Sequence, residues 1–97
     1  MKIKTKSGFA WNINEKKCKD WRFVKYLAQM DSDDESEQLR GTTKAVSFLF
    51  GDEGEEALMK HVTDKDGNVD GGKLLNEFKE VLQLTSAELK KSQSSQE

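Results

Sequence analysis

The chain has no proline, one cysteine, one histidine and one tyrosine among its 97 residues. Each scarcity narrows the reading. With no proline, helices are free to run without imposed breaks. Cys18 alone cannot close an internal disulfide, and one thiol with one histidine makes a poor zinc set. A reducing, cytoplasmic setting fits that usage. No apolar run is long enough to span a bilayer. Lys2, Lys4 and Lys6 have no apolar stretch behind them, so a secretory signal is not expected. No phosphate-binding glycine loop, serine-centred elbow or Walker-type lysine occurs.

What is present is a wet composition, 35% charged and 34% hydrophobic, with a net charge of −2. The length suits one domain with a small core and little burial to spare for a deep cleft. The charge is segregated. Lys2 to Lys19 is basic, Asp31 to Glu56 acidic, and Lys90-Lys91 basic again. Such asymmetry is ordinarily solvated surface, and it also marks some nucleic-acid faces.

The alternation of Ile3 and Thr5 against lysines, the Ser7-Gly8 turn signal, and the alternation of Phe9, Trp11 and Ile13 predict a hairpin over 2–13. A lone hairpin is marginal in water, so its aromatic face must lie on helices or on a partner. Asn14 to Lys19 adds an irregular turn. Asp20 is placed to cap a helix carrying Phe23, Val24, Leu27 and Ala28 at helical spacing and ending near Met30. Asp31 to Glu37 reads as an exposed loop. Leu39, Val46 and Leu49 or Phe50 mark the next inner stripe, weakened at Gly41 by roughly 1 kcal/mol. Gly51 suits a left-handed helix end, and Asp52 with Glu55 a capping box opening a third helix that buries Leu58 and Val62. Asp70 caps a fourth helix with a stripe of Leu74, Leu75, Phe78, Val81 and Leu82. From Thr85 the chain is polar. The expectation is a mainly α fold, a small bundle of about four short helices with an N-terminal β-hairpin. It forms one domain over 1–84, with a polar, disordered tail over 85–97.

Candidate chemistry is thin. Asp64, Asp66 and Asn68 resemble the opening of a calcium loop. Counting from Asp64, however, the positions that need glycine and a bidentate glutamate hold Val69 and Leu75. The segment then reads as a turn, and a small calcium-binding EF-hand-like regulator using 64–75 stands as an alternative. Lys17 and Lys19 beside Cys18 favour its thiolate, but no positioned base is evident. His61 reads as a surface or packing residue. No catalytic, metal or cofactor site is assigned, and an enzyme is not expected. Trp11, Trp21, Phe23 and Phe50 are the candidate partner-binding aromatics. Phe48 lies off its helix stripe and is expected to cover the hairpin or face a partner.

The order of motifs carries a resemblance. An aromatic hairpin precedes Asp20-Trp21-Arg22-Phe23-Val24 and an acidic spacer. Phe48-Leu49-Phe50-Gly51-Asp52-Glu53, Leu58-Met59-Lys60-His61-Val62 and Leu74-Leu75-Asn76-Glu77-Phe78 follow, and the end is Lys/Ser-rich. This resembles the tail assembly chaperones of long-tailed bacteriophages and prophages, though Gln93 interrupts the serines of the ending. The resemblance implies a non-enzymatic protein that binds the tape-measure protein and helps tail tube components assemble. It implies action in the host bacterial cytoplasm and absence from the mature virion. A longer form made by frameshifting near Lys90-Lys91 would accord with it. No cofactor, nucleic acid or membrane is expected among its partners, and self-association into a homo-oligomer is compatible. A nucleic-acid-binding helical module is the remaining alternative, though it lacks a basic recognition helix.

Overall fold

A computed structural model describes residues 1–94 of the chain, with side chains described for 1–90. The order is β1 (Lys2–Lys4), β2 (Ala10–Asn12), α1 (Glu15–Cys18), α2 (Trp21–Met30), α3 (Glu35–His61) and α4 (Gly71–Ser94). The fold is mostly helical, with an N-terminal two-stranded antiparallel sheet.

The hairpin pairs Lys2 with Asn12, Ile3 with Trp11 and Lys4 with Ala10. Directly opposed residues share a face, so Ile3 and Trp11 turn together toward the helices while the lysines face out. Ile3, Thr5, Phe9 and Ile13 are all buried. The first residue continues the pairing, since Ile13 N donates to the Met1 carbonyl at 2.6 Å.

Local chemistry sets the helix ends. The Asn14 side chain accepts from Lys16 N and opens the one-turn α1, where an irregular turn is expected from the sequence. Asp20 caps α2 through Arg22 N at 2.9 Å, and its carboxylate also receives the Arg22 guanidinium. Asp34 caps α3 by accepting from Ser36 N at 2.8 Å and Glu37 N at 3.4 Å. The acidic stretch is therefore no seven-residue loop. Helix α3 starts at Glu35, where Glu35 and Glu37 lie favourably at the positive end of the helix dipole. Asp70 caps α4 through Lys73 N.

Helix α3 consists of two arms meeting at Gly51, whose φ of 69° and ψ of −179° break the helix. Its φ is positive, as expected, but its ψ is extended rather than left-handed helical. This region is open essentially to glycine alone. The capping box expected from Asp52 and Glu55 does not form. Glu55 instead accepts from Ser47 Oγ at 2.9 Å, across the bend. Helix α4 runs on past residue 84, to Ser94. Thr85 is buried, its hydroxyl donating to the Leu82 carbonyl, and Leu89 is half-buried. Thr85 and Leu89 line a groove with Phe23 and Leu27 of α2. Residues 95–97 lie outside the described residues.

The core joins the hairpin (Ile3, Phe9, Ile13), α2 (Phe23), both arms of α3 (Ala45, Val46, Leu49, Phe50, Leu58) and α4 (Phe78, Val81). Helix α2 lies close against the first arm of α3, and Gly41 is what allows it. A Cβ there would stand 2.5 Å from Met30 N and 2.6 Å from Tyr26 O, both backbone atoms.

Gly41→Ala is therefore expected to destabilise the fold by about 1–3 kcal/mol through overpacking. Helix propensity alone would favour alanine by about 1 kcal/mol. The sign of the shift in urea midpoint decides between them. Asp20 gives a second test. Hydrogen bonds from the Arg22 side chain and backbone lower its pKa to about 2. The stability it lends is present above the unfolded value near 4 and fades as pH falls through the folded one. NMR titration should place the Asp20 carboxyl near 2, and Asp20→Asn should flatten stability across that window.

Candidate functional site

Two places on the molecule gather side chains in a way the core does not require. The first is polar. Ser7, at the hairpin turn, meets His61 at the end of α3 and Glu77 on α4. Ser7 Oγ donates to Glu77 Oε1 at 2.7 Å and lies 2.8 Å from His61 Nε2. Buried Thr5 also donates to Glu77 Oε1 at 2.7 Å. Since the single Ser7 proton is directed at the carboxylate, its oxygen accepts from His61 Nε2–H. The imidazole rests against Phe9, ring centroids 5.5 Å apart. A neighbouring bond, Lys6 N to Glu80 Oε2 at 2.7 Å, reinforces the hairpin–α4 junction.

This constellation invites comparison with a nucleophilic triad. In a triad the carboxylate orients the imidazole from the nitrogen remote from the hydroxyl. Here the Glu77 carboxylate lies 3.8 Å from Nε2, the same nitrogen that faces Ser7. The hydroxyl proton is held by the carboxylate, not by the imidazole. The arrangement ties hairpin, α3 and α4 together. The sequence reads His61 as a surface or packing residue and does not show its partners, which lie 54 and 16 positions away with no local signature.

The second place is a groove of about 780 Å³ between the start of α3 and the start of α4. Met30, Leu39, Leu74 and Leu75 give its apolar lining, with Asp31 and Glu35 on one side and Lys79 on the other. Leu39 is 66% exposed. The sequence places it on the inner stripe of α3, but α2 crosses α3 at Gly41, and the turn before that crossing reaches past its cover. A smaller groove, about 330 Å³, lies on the other flank of α4 between Cys18, Phe23, Leu27, Leu82 and Leu89.

The four aromatics singled out in the sequence do not share a surface. Phe23 and Phe50 are 3% and 5% exposed and belong to the core. Trp11 is half-buried over Gly54, where its indole fills the space a Cβ would need. Only Trp21 is open, at 72% exposure. Phe48 is half-buried and packs on α2 rather than on the hairpin. It stacks on Phe23 with centroids 6.1 Å apart, edges Tyr26, and lies under the cations of Lys17 and Arg22.

Cys18 also departs from expectation. Burial, then the charge of Glu15, push its thiol pKa up, outweighing the lowering by the N-terminal amine and Lys19. Burial thus disfavours its thiolate. In the 64–68 loop, Asp64 Oδ1 accepts from Asp66 N at 2.9 Å and Asn68 N at 3.0 Å. That oxygen organises an Asx turn closed by the Thr63–Val69 bridge. No group of three or more His, Cys, Asp or Glu side chains is gathered to hold a metal among the described residues. No described helix is long and apolar enough to cross a membrane.

Comparison with family models, curated proteins and solved structures gives no match to the chain.

The polar clamp is testable by itself. Glu77→Ala leaves the buried Thr5 hydroxyl without its carboxylate acceptor and should cost about 2–3 kcal/mol in denaturant unfolding. Ser7→Ala, which removes a more exposed hydrogen bond, should cost about 1 kcal/mol.

Proposed function

We propose that this chain is a non-enzymatic assembly chaperone that holds a helical polypeptide in the groove between α3 and α4. The supporting observation is Leu39, a large apolar side chain left open beside Leu74, Leu75 and Met30 in a protein otherwise rich in charge. A monomer has no folding reason to leave such a cluster uncovered, whereas amphipathic helices dock into grooves of this kind through apolar residues one turn apart. A helix also satisfies its own backbone hydrogen bonds, so the groove need supply only apolar contact and rim charge.

The identity of the client follows from the resemblance in motif order to phage tail assembly chaperones. On that reading the client is the tape-measure protein, a long helical polypeptide that must stay soluble until tail tube subunits polymerise around it. The chaperone would act in the host bacterial cytoplasm and be absent from the finished virion. The lack of a triad-like relay at Ser7, His61 and Glu77, and the raised thiol pKa of Cys18, accord with binding rather than chemistry.

The test uses synthetic helical segments of the tape-measure protein encoded beside this chain. One segment is expected to bind the wild type. Leu39→Lys should weaken it by about 2 kcal/mol, roughly thirtyfold, with helical content unchanged by circular dichroism. Failure of every segment to bind, or a neighbourhood of genes without a tail tube protein and a very long helical protein, would sink the proposal.

A further inference from the structure

The groove between α3 and α4 has walls of opposite sign. Asp31 and Glu35 stand on the α3 side and Lys79 on the α4 side, all three exposed. None of them makes an ion pair among the described residues. Neighbouring acids are committed within the fold. Asp34 caps α3, and Glu37 holds Gln29 and Arg40. The carboxylates of Asp31 and Glu35 are not so committed, although Glu35 suits the positive end of α3. Between the walls lie Leu39, Leu74 and Leu75. A second patch of exposed apolar surface is charged differently. Trp21 and Val24 lie open on the outer side of α2, with Lys19 and Lys25 exposed beside them and unpaired among the described residues.

We propose that the groove selects its client by charge. It takes an amphipathic helix whose apolar stripe has a lysine- or arginine-bearing edge and an aspartate- or glutamate-bearing edge. The basic edge faces Asp31 and Glu35, and the acidic edge faces Lys79. The inference rests on reading the groove as a helix-binding site, and it states the chemistry of the helix and what fixes its direction.

The geometry of a helix supplies the reason. Residues flanking an apolar stripe fall on two edges, one on each side of the contact. Turning the helix end for end exchanges those edges between the walls. A helix with edges of opposite sign therefore meets both walls favourably in one direction only. With two acidic edges, one must lie against Asp31 and Glu35. With two basic edges, one must lie against Lys79. Like charges brought together across an interface cost affinity, whereas complementary ones steer encounter and fix register. The patch on α2 cannot substitute, because a basic edge there meets Lys19 or Lys25. Leu39, Leu74 and Leu75 thus give affinity for any apolar stripe, and Asp31, Glu35 and Lys79 determine which stripe is kept and how it lies.

Three synthetic helical peptides with one common leucine stripe test this on the full chain by fluorescence anisotropy. The first has edges of opposite sign, the second two acidic edges, the third two basic edges. At low salt the first should bind about threefold tighter than the doubly basic peptide and about tenfold tighter than the doubly acidic one. The differences should shrink in salt of about 1 M, while the apolar contribution remains. Lys79→Glu makes both walls acidic, so the doubly basic peptide should become the tightest of the three. Asp31→Lys should narrow the gap between the doubly acidic peptide and the first. A lysine there suits the C-terminal end of α2, and both positions are exposed, so circular dichroism should show both variants folded. Leu39→Ser, which leaves the charge unchanged, should weaken all three peptides. Equal affinities for the three, or a ranking that Lys79→Glu does not alter, overturns the inference. If equal binding is still lost in Leu39→Ser, only this inference falls and the groove remains a helix site. If no peptide binds, or if Leu39→Ser binds as the wild type does, the groove reading falls with it.

Discussion

The fold depends on the ring of Phe50. It meets Phe9 of the hairpin at 5.9 Å and 69°, and Phe78 of α4 at 6.1 Å and 61°, both edge-on. Edge-to-face pairs add about 0.5–1.5 kcal/mol each beyond the area they bury. More important is what they join. The hairpin is only three residues long on each side and has no stability of its own. Helix α4 is separated from α3 by the loop that follows Val62. Through one side chain both are fixed to the same point on α3, immediately before the bend at Gly51. The bend then directs the second arm of α3 so that Leu58 and Val62 close the core and His61 reaches Ser7. A change at Phe50 would therefore loosen three elements together.

That constraint also explains why the grooves exist. Helix α4 is held by Phe78 and Val81 on its inner line and by Glu77 and Glu80 against the hairpin. Its apolar stripe is wider than that line. Leu74 and Leu75 fall to one side, Leu82 and Leu89 to the other, and the neighbouring helices do not fold over either flank. On the α3 side, the close crossing at Gly41 draws α2 down and leaves the turn around Leu39 standing clear. Tight contact in one place and open apolar surface in another are consequences of the same short α2.

Much of the architecture was legible because local signals agreed with one another. For α2, the Asp20 cap, the spacing of Phe23 and Leu27 and the end at Met30 all point to one element, and the structure has it. The hairpin face and the start of α4 were equally readable. The misreadings share a cause, which is that they depend on where another element stops. Leu39 belongs to the apolar stripe of α3 by spacing, yet nothing in its own segment tells that α2 ends its cover one turn away. Phe23 and Phe50 look like docking aromatics in a small domain until their neighbours are known. The polar end of α4 is poor in apolar residues, yet Thr85 is buried and Leu89 half-buried there, which spacing alone does not tell. The site suffered most, since the groove is defined by two stripe edges and the clamp by residues far apart in the chain.

The charge segregation acquires a physical meaning once the elements are placed. An acidic segment between α2 and α3 is not required for capping, because Asp34 alone supplies that. Asp31 and Glu35 instead sit at the mouth of an apolar groove, while the lysines before and within α2 flank an apolar stripe. Exposed apolar surface alone would bind without discrimination and favour aggregation. Charges at the rim make the same surface selective, since a wrong partner must bring like charges together or leave them desolvated. The sequence thus spends its charge where the apolar surface is open. For a protein whose proposed task is to hold a helix reversibly, that combination matters more than a large buried area: the apolar contact supplies affinity, and the charges decide what is held and what is released.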